Sequence, residues 1–250
     1  MKPKVSVVTP VFNAGIFLAD TYECLKSQTF QDWEWCVYDD CSKDDSYSIL
    51  CGFAAEDHRV RCFRGASNRG AAYSRNFCID AAKGEYIAFL DSDDLWLPGK
   101  LQEQIDFMDC GHGFTFTPYE LVEKDGSPTG KFVDLTAPDR ISYEDLLRKR
   151  ATFGCSTVIV ERALLNGNRM PDIRAGQDYA FWLQLMRVGV YAVKYEAPLS
   201  KYRIVPGSLS RNKFRKAIFQ WRIYREVEHL DVRKAVQCFF YYARNAIFRR

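Results

Sequence analysis

The sequence predicts an α/β fold: a mostly parallel central sheet with helices on both faces, a small antiparallel part, and helices at the carboxyl end. Three observations point there. Apolar runs and helical segments alternate four times in fewer than 100 residues, as right-handed βαβ units do. The run Tyr86-Ile87-Ala88-Phe89-Leu90 is apolar or aromatic throughout, the signature of a strand buried on both faces. Two of the strands end in acids, Asp39-Asp40 and Asp91-Ser92-Asp93-Asp94. In open α/β sheets ligands bind beyond the carboxyl ends of strands, so acids there suggest a divalent metal, a ribose hydroxyl, or both. The competing reading is a solvated turn in which Asp93 or Asp94 caps a helix starting near Pro98.

The elements follow in order. Val5 to Phe12 is a β-branched strand closed by the turn Asn13-Ala14-Gly15. A helix over Ile16 to Gln28 carries Leu18, Tyr22 and Leu25 on one face. Trp33 to Tyr38 is the second strand. Ser42-Lys43-Asp44-Asp45 has the spacing of a capping box and opens a helix to about Ala55. Val60 to Phe63 is a short third strand. After the loop Asn68-Arg69-Gly70, a helix runs from Ala71 to Ala82 and stops at Gly84. Beyond Pro98, Leu101, Ile105 and Met108 mark a helix, and Phe114 to Thr117 alternates like an antiparallel strand. Asp125 to Gly130 is turn chemistry between strands. Ser142 to Arg150 is a short helix, Thr157 to Val160 a buried strand, Ala180 to Val188 an amphipathic helix, and Tyr191 to Val205 is β-rich. From Asn212 onward the pattern is helical. Phe214, Ala217, Ile218, Trp221 and Tyr224 form one stripe, and Val232, Val236, Phe239, Phe240, Ala243 and Ile247 another.

Size and composition narrow the function. At 250 residues with 47% hydrophobic content the chain can bury a sizeable core, and no apolar run reaches bilayer length. Nine cysteines without a Cys-x-x-Cys pair read as reduced thiols, and three histidines without metal-type spacing disfavour a zinc site. Met1-Lys2-Pro3-Lys4 leads straight into a strand, so no signal peptide is expected and the cytoplasm is the expected compartment. The net charge of +3 hides an asymmetry: residues 211–250 carry 11 Lys/Arg against 3 Asp/Glu, while residues 1–210 carry 24 against 29. An acidic body does not suit nucleic acid. The expected organisation is a domain over 1–210, with a nucleotide-binding half (1–97) and an acceptor half (98–210), followed by a basic helical tail over 211–250.

Four segments in this order carry the chemistry: Thr9-Pro10-Val11-Phe12-Asn13, Val37-Tyr38-Asp39-Asp40-Cys41-Ser42, Asn68-Arg69-Gly70 through Ser74-Arg75-Asn76, and Asp91-Ser92-Asp93. Together they resemble a family 2 glycosyltransferase of the GT-A fold over about residues 4–205, of the kind that builds bacterial surface polysaccharides. The resemblance implies an inverting transfer from a nucleotide-diphospho-sugar to an acceptor hydroxyl. It implies that Asp39 accepts from the base, a uracil, beside Pro10 and Phe12. Asp91 with Ser92 would meet the donor's ribose and Asp93, with Asp91 beside it, would hold Mn²⁺ or Mg²⁺, a hard cation suited to carboxylate oxygens. Arg69 or Arg75 would add contacts to the diphosphate. Gly176-Gln177-Asp178 resembles the family's Glu-Asp motif and implies Asp178 as catalytic base, with Gln177 in place of the usual Glu; the alternative for Asp178 is a helix N-cap. Tyr202-Arg203 through Ser210 resembles a loop that closes over the donor.

Rival readings are a nucleotidyltransferase, which would want a glycine-rich loop where Thr9–Gly15 has one glycine, and a non-catalytic nucleotide-sugar-binding protein. The acceptor is expected to be a glycan or a lipid-linked sugar. The tail is expected either to pack on the domain or on a second copy in a homodimer, or to attach peripherally to an anionic membrane surface.

Overall fold

The computed structural model describes residues 2–205 and 213–248, and for 213–215 and 245–248 the backbone alone. In chain order the elements are β1 (Val5–Val11), α1 (Gly15–Lys26), β2 (Trp33–Asp39), α2 (Ser46–Glu56), β3 (Val60–Arg64), α3 (Ala71–Ala81), β4 (Tyr86–Phe89), β5 (Leu95–Trp96) and α4 (Lys100–Asp109). There follow β6 (Phe114–Phe116), β7 (Tyr119–Val122), β8 (Pro128–Val133), β9 (Arg140–Ile141), α5 (Tyr143–Leu147), β10 (Val158–Glu161), α6 (Arg162–Leu165) and α7 (Gln177–Met186). Last come β11 (Ala192–Lys194), β12 (Ser200–Arg203), α8 (Lys213–Arg222), a π-helical turn over Ile223–Val227, and α9 (Val232–Phe248).

The main sheet has eight strands in the order β3-β2-β1-β4-β10-β6-β11-β9. β1 to β4 run parallel, β10 runs against its neighbours, and β6 and β11 return to the first direction. This is the mostly parallel sheet that the alternation predicts. A second sheet, β5-β12-β7-β8, stands beside the acid-tipped end of β4. β10 matters for the site: because it is antiparallel to β4, residues just before it lie at the same edge as residues just after β4.

Alternation along each strand divides the core into two layers. Val5, Val7 and Val11 of β1 face α1, α2 and α4, with Leu18, Leu50 and Leu101 among their partners. Val8 faces the other layer, where α3, α5 and α7 supply Cys78, Leu146 and Phe181. The turn of Ile223–Val227 and helix α9 join that second layer: Ile223, Tyr224, Ala235 and Cys238 are buried in it. The Tyr224 hydroxyl donates to the Leu147 carbonyl at 2.5 Å, and the buried carboxylate of Glu228 accepts from Tyr143 and pairs with Arg187. The carboxyl-terminal helices therefore pack on the domain.

Several local expectations change. No capping box forms at Ser42; its Oγ accepts from the Asn13 amide, and Asp44 accepts from Gly15 and Ser46, which ties the loop after β1 to the loop after β2. A capping box forms instead at Ser142 and Asp145. Gly84 is not a helix cap: a Cβ there would lie 2.5 Å from the Ser6 amide nitrogen, so the residue is small because β1 passes over it. The tail stripes split as well. Tyr224 is buried, whereas Ile218, Val232, Val236 and Phe240 are more than half exposed. Pro206 to Ser210 of the expected closing loop lie outside the described residues, as do the side chains of Phe214 and Ile247. All nine cysteines are free thiols.

Candidate active site

The strand ends set the stage. Asp39 closes β2 and is fully buried. Its Oδ2 accepts from the Ser42 amide at 3.2 Å and faces Arg64 Nε at 3.4 Å, while its Oδ1 is buried without a hydrogen-bond partner. Asp40 has no such spare capacity: its two oxygens accept from the amides of Arg69 and Gly70 at 2.8 and 2.7 Å. Gly70 needs its φ of 88° to present that amide, which a side chain would strain. Asp40 thus folds the loop, and Asp39 is the acid left with an open acceptor. Arg64 is a residue that the sequence reading missed. The parallel register sets it beside Asp39, and its guanidinium lies over the Tyr47 ring at 4.3 Å.

On its other side β2 pairs with β1, Tyr38 with Pro10 and Asp39 with Val11, so Pro10 and Asp39 point to opposite faces of the sheet. A planar base that touches both must lie across the strand ends. Phe12, just past β1, is about half exposed there.

The second acid cluster follows β4. Arg75, nearly buried on α3, reaches Asp91 with Nη2 2.5 Å from Oδ1. Burial is the largest single effect and opposes the guanidinium charge, yet the neighbouring groups, Asp91 first among them, together hold it above its ordinary range. Arg75 Nε has no partner, which leaves a buried donor spare. Arg69 stands apart, its guanidinium stacked on the Tyr73 ring at 3.6 Å. Ser92 offers its carbonyl to Thr21 Oγ1 at 2.8 Å, which fixes the turn against α1. Burial, and then the charge of Asp91, raise the Asp93 carboxyl to about 6. Asp94 is not a helix cap. It is buried and accepts from Ser156 Oγ at 2.5 Å and from the Arg203 amide at 3.0 Å.

Asp178 stands at the second position of α7. Gly176, at φ 76°, takes the cap position with no side-chain bond, so capping is not the role of Asp178. Its carboxylate is half-buried, and its charge is felt at Arg75, at the buried thiol of Cys155 and at Tyr119. Arg75, Asp91, Asp93 and Asp178 therefore converge on one edge of the sheet, and Asp39 lies at the same edge two strands away.

Among the described residues, no three His, Cys, Asp or Glu side chains surround one point as a closed metal site would require. The donor set does fit an open one. Asp93 is half-buried, and its carboxylate sits beside that of Asp91. Asp91 keeps one oxygen clear of Arg75. Two carboxylates with substrate phosphates is how Mg²⁺ is commonly held.

The chain is similar to known proteins over most of its length. The profile of Glycosyl transferase family 2 matches residues 6–157. The chain belongs to that family and is a glycosyltransferase of GT-A fold. It is 41% identical over 250 residues to the putative teichuronic acid biosynthesis glycosyltransferase TuaG of Bacillus subtilis strain 168, covering 100% of this chain and 98% of that protein. It is 34% identical over 245 residues to the Escherichia coli UDP-Glc:alpha-D-GlcNAc-diphosphoundecaprenol beta-1,3-glucosyltransferase WfaP, covering 98% and 94%. Among solved structures, Staphylococcus aureus TarS 1-349 in complex with UDP-GlcNAc superposes with a TM-score of 0.74 at 19% identity, over 98% of this chain and 73% of that one.

Proposed function

We propose that this glycosyltransferase moves a sugar from a UDP-sugar to a hydroxyl of a lipid-linked glycan, with inversion, during assembly of a bacterial surface polysaccharide. The observation that carries the reading is the convergence of the Arg75–Asp91 pair, Asp93 and Asp178 on one sheet edge. The donor and acceptor classes rest on WfaP, whose name specifies UDP-glucose and a diphosphoundecaprenol-linked sugar.

Each group has one task. Asp39 Oδ1 accepts the N–H of a uracil lying over the ends of β1 and β2. Asp91, oriented by Arg75, accepts from the ribose. Mn²⁺ or Mg²⁺, held by Asp93 with Asp91 beside it, would supply the positive charge that lets the diphosphate leave. Asp178 takes the proton of the acceptor hydroxyl as its oxygen attacks the anomeric carbon. Asp178 acting as a general base supports one displacement and therefore inversion. A panel of UDP-sugars offered with Mn²⁺ and a diphosphoundecaprenol-linked N-acetylhexosamine should give one glycosylated product of inverted anomeric configuration. A retained configuration, or transfer undiminished in EDTA, would overturn the corresponding part.

A peripheral membrane position follows from one further observation. Val232, Val236 and Phe240 form an exposed i, i+4, i+8 stripe on α9, whose opposite side carries the buried Ala235 and Cys238. The stripe belongs to the segment that holds 11 Lys/Arg against 3 Asp/Glu. Apolar side chains in the interface with cations on anionic headgroups would bring the site to a lipid-linked acceptor. Co-sedimentation with phosphatidylglycerol vesicles should fall with salt and be lost on replacing Val236 and Phe240 by Asp. If a second copy covers the stripe instead, the same replacements will turn a dimer into a monomer.

A further inference from the structure

The acid turn after β4 is held by a residue more than 60 positions away. β10 pairs with β4 so that Ile159 meets Ala88 and Glu161 meets Tyr86. Carried back three residues, that register sets Ser156 opposite Asp91. The hydrogen bonds follow it. Ser156 Oγ accepts from the Asp91 amide at 3.0 Å and donates to Asp94 Oδ2 at 2.5 Å, so one hydroxyl clamps both ends of the Asp91–Asp94 turn. The clamp is itself fixed. The Ser156 carbonyl accepts from Trp96 Nε1 at 2.7 Å and from Ser200 Oγ at 3.0 Å, and Ser156 is 4% exposed. Asp94 is also tied to β12, through the Arg203 amide at 3.0 Å.

We infer that Ser156 is a positioning residue of the donor site: its hydroxyl fixes the backbone between Asp91 and Asp94, and so the direction in which Asp91 and Asp93 present their carboxylates. It touches neither donor nor metal. The inference rests on the proposed roles of Asp91 and Asp93, but the shape of the turn is open to measurement without them. A turn of four residues carrying three carboxylates repels itself. Without Oγ, the Asp91 amide loses its acceptor and Asp94 loses a donor, both in a buried setting where water is a poor substitute. Thr21 still holds the Ser92 carbonyl, so the turn should loosen at its ends rather than unfold.

Two variants and two readouts test this. In Ser156→Ala, amide hydrogen exchange of the metal-free protein should speed up about tenfold across Asp91–Asp94, with the other strands of the sheet unchanged. UDP affinity in the presence of Mn²⁺ should fall by about 10–100-fold, the range seen when partners that orient metal ligands are removed, measured by calorimetry well below the melting temperature. Ser156→Thr keeps the hydroxyl and should restore both values to within about threefold. Unchanged exchange over Asp91–Asp94 overturns the inference, as does unchanged UDP affinity in Ser156→Ala. A wild-type protein that binds no UDP overturns the proposed donor instead, and the exchange measurement then decides the role of Ser156 alone.

Discussion

Gly176, which caps the helix that carries Asp178, lies directly against Ile223 of the carboxyl-terminal π-helical turn; a Cβ on residue 176 would come within 2.8 Å of Ile223 Cδ1. The helix that carries Asp178 and the tail therefore touch here, and a methyl group on residue 176 would have to push Ile223 Cδ1 aside. Gly176→Ala is expected to destabilise the protein by about 2 kcal/mol or more, from the left-handed backbone and from overpacking. Ile223→Val deletes the clashing Cδ1 and should cost about 1 kcal/mol alone. The double variant should be more stable than the sum of the two losses. Strict additivity in urea denaturation would show that the contact does not constrain the helix.

Asp178→Asn keeps the shape of the side chain and removes its ability to accept a proton. A fall in kcat of about 10²–10⁴-fold is expected, with the KM for donor nearly unchanged, as for loss of a general base. Because Gly176 and not Asp178 caps α7, the melting temperature should hardly move. A matching loss of donor affinity would reassign Asp178 to donor binding.

Much of this was legible in the chain because it depends on local pattern. The apolar run before Asp91, the acids after β2 and β4, and the motif around Asp178 each announce themselves within about ten residues. The sequence offered Arg69 or Arg75 for the diphosphate but could not tell that the partner of Arg75 is Asp91, 16 positions on. Arg64 and Ser156 were missed for one reason: each acts through strand register. Arg64 matters because it pairs with Asp39 across β2 and β3, and Ser156 because an antiparallel strand brings its start to the carboxyl edge of parallel ones. The tail was left open between two readings for a different reason. Its apolar residues occupy more than one face, and only packing decides that Tyr224 goes inside while Val236 and Phe240 stay out.

Asp39 carries the prediction on base recognition. Its unpartnered, buried Oδ1 is the acceptor proposed for the uracil N–H, and Arg64 holds Oδ2. Asp39→Ala should weaken UDP binding by about 10–100-fold, the loss expected when a charged hydrogen-bond partner is removed. The discrimination between UDP and other nucleoside diphosphates should narrow with it. Equal losses for UDP, GDP and ADP would indicate that Asp39 only shapes the pocket.

Asp93 carries the prediction on metal. In Asp93→Asn the shape survives but the charge that would hold the cation is gone. Stabilisation of the wild type by Mn²⁺ with UDP, seen as a rise in melting temperature, should disappear in the variant. Stability without ligands should be equal or higher, because a partly desolvated carboxylate beside Asp91 costs energy. Retention of the Mn²⁺-dependent shift would place the cation elsewhere.

Lys100 gives a pH test that does not involve the reaction. It is fully buried on α4 with its amine donating to Gln104 and lying 4.9 Å from the Trp96 ring, and no carboxylate among the described residues pairs with it. Burial pushes the amine down to about 7. An unfolded lysine titrates near 10.4, so between about pH 7 and 10 the unfolded chain holds a proton that the folded one lacks. Stability from this group must then rise with pH across that window, with a slope of up to about 1.4 kcal/mol per pH unit. Lys100→Met removes the titration and leaves Gln104 bonded to Thr115 and to the Thr157 carbonyl. The variant's advantage over wild type should be largest at pH 7 and should close as pH rises. Urea midpoints at pH 7, 8, 9 and 10 measure this directly. Parallel curves for the two proteins would mean that Lys100 stays charged in the folded state, and that the Trp96 ring and Gln104 together outweigh the cost of burial.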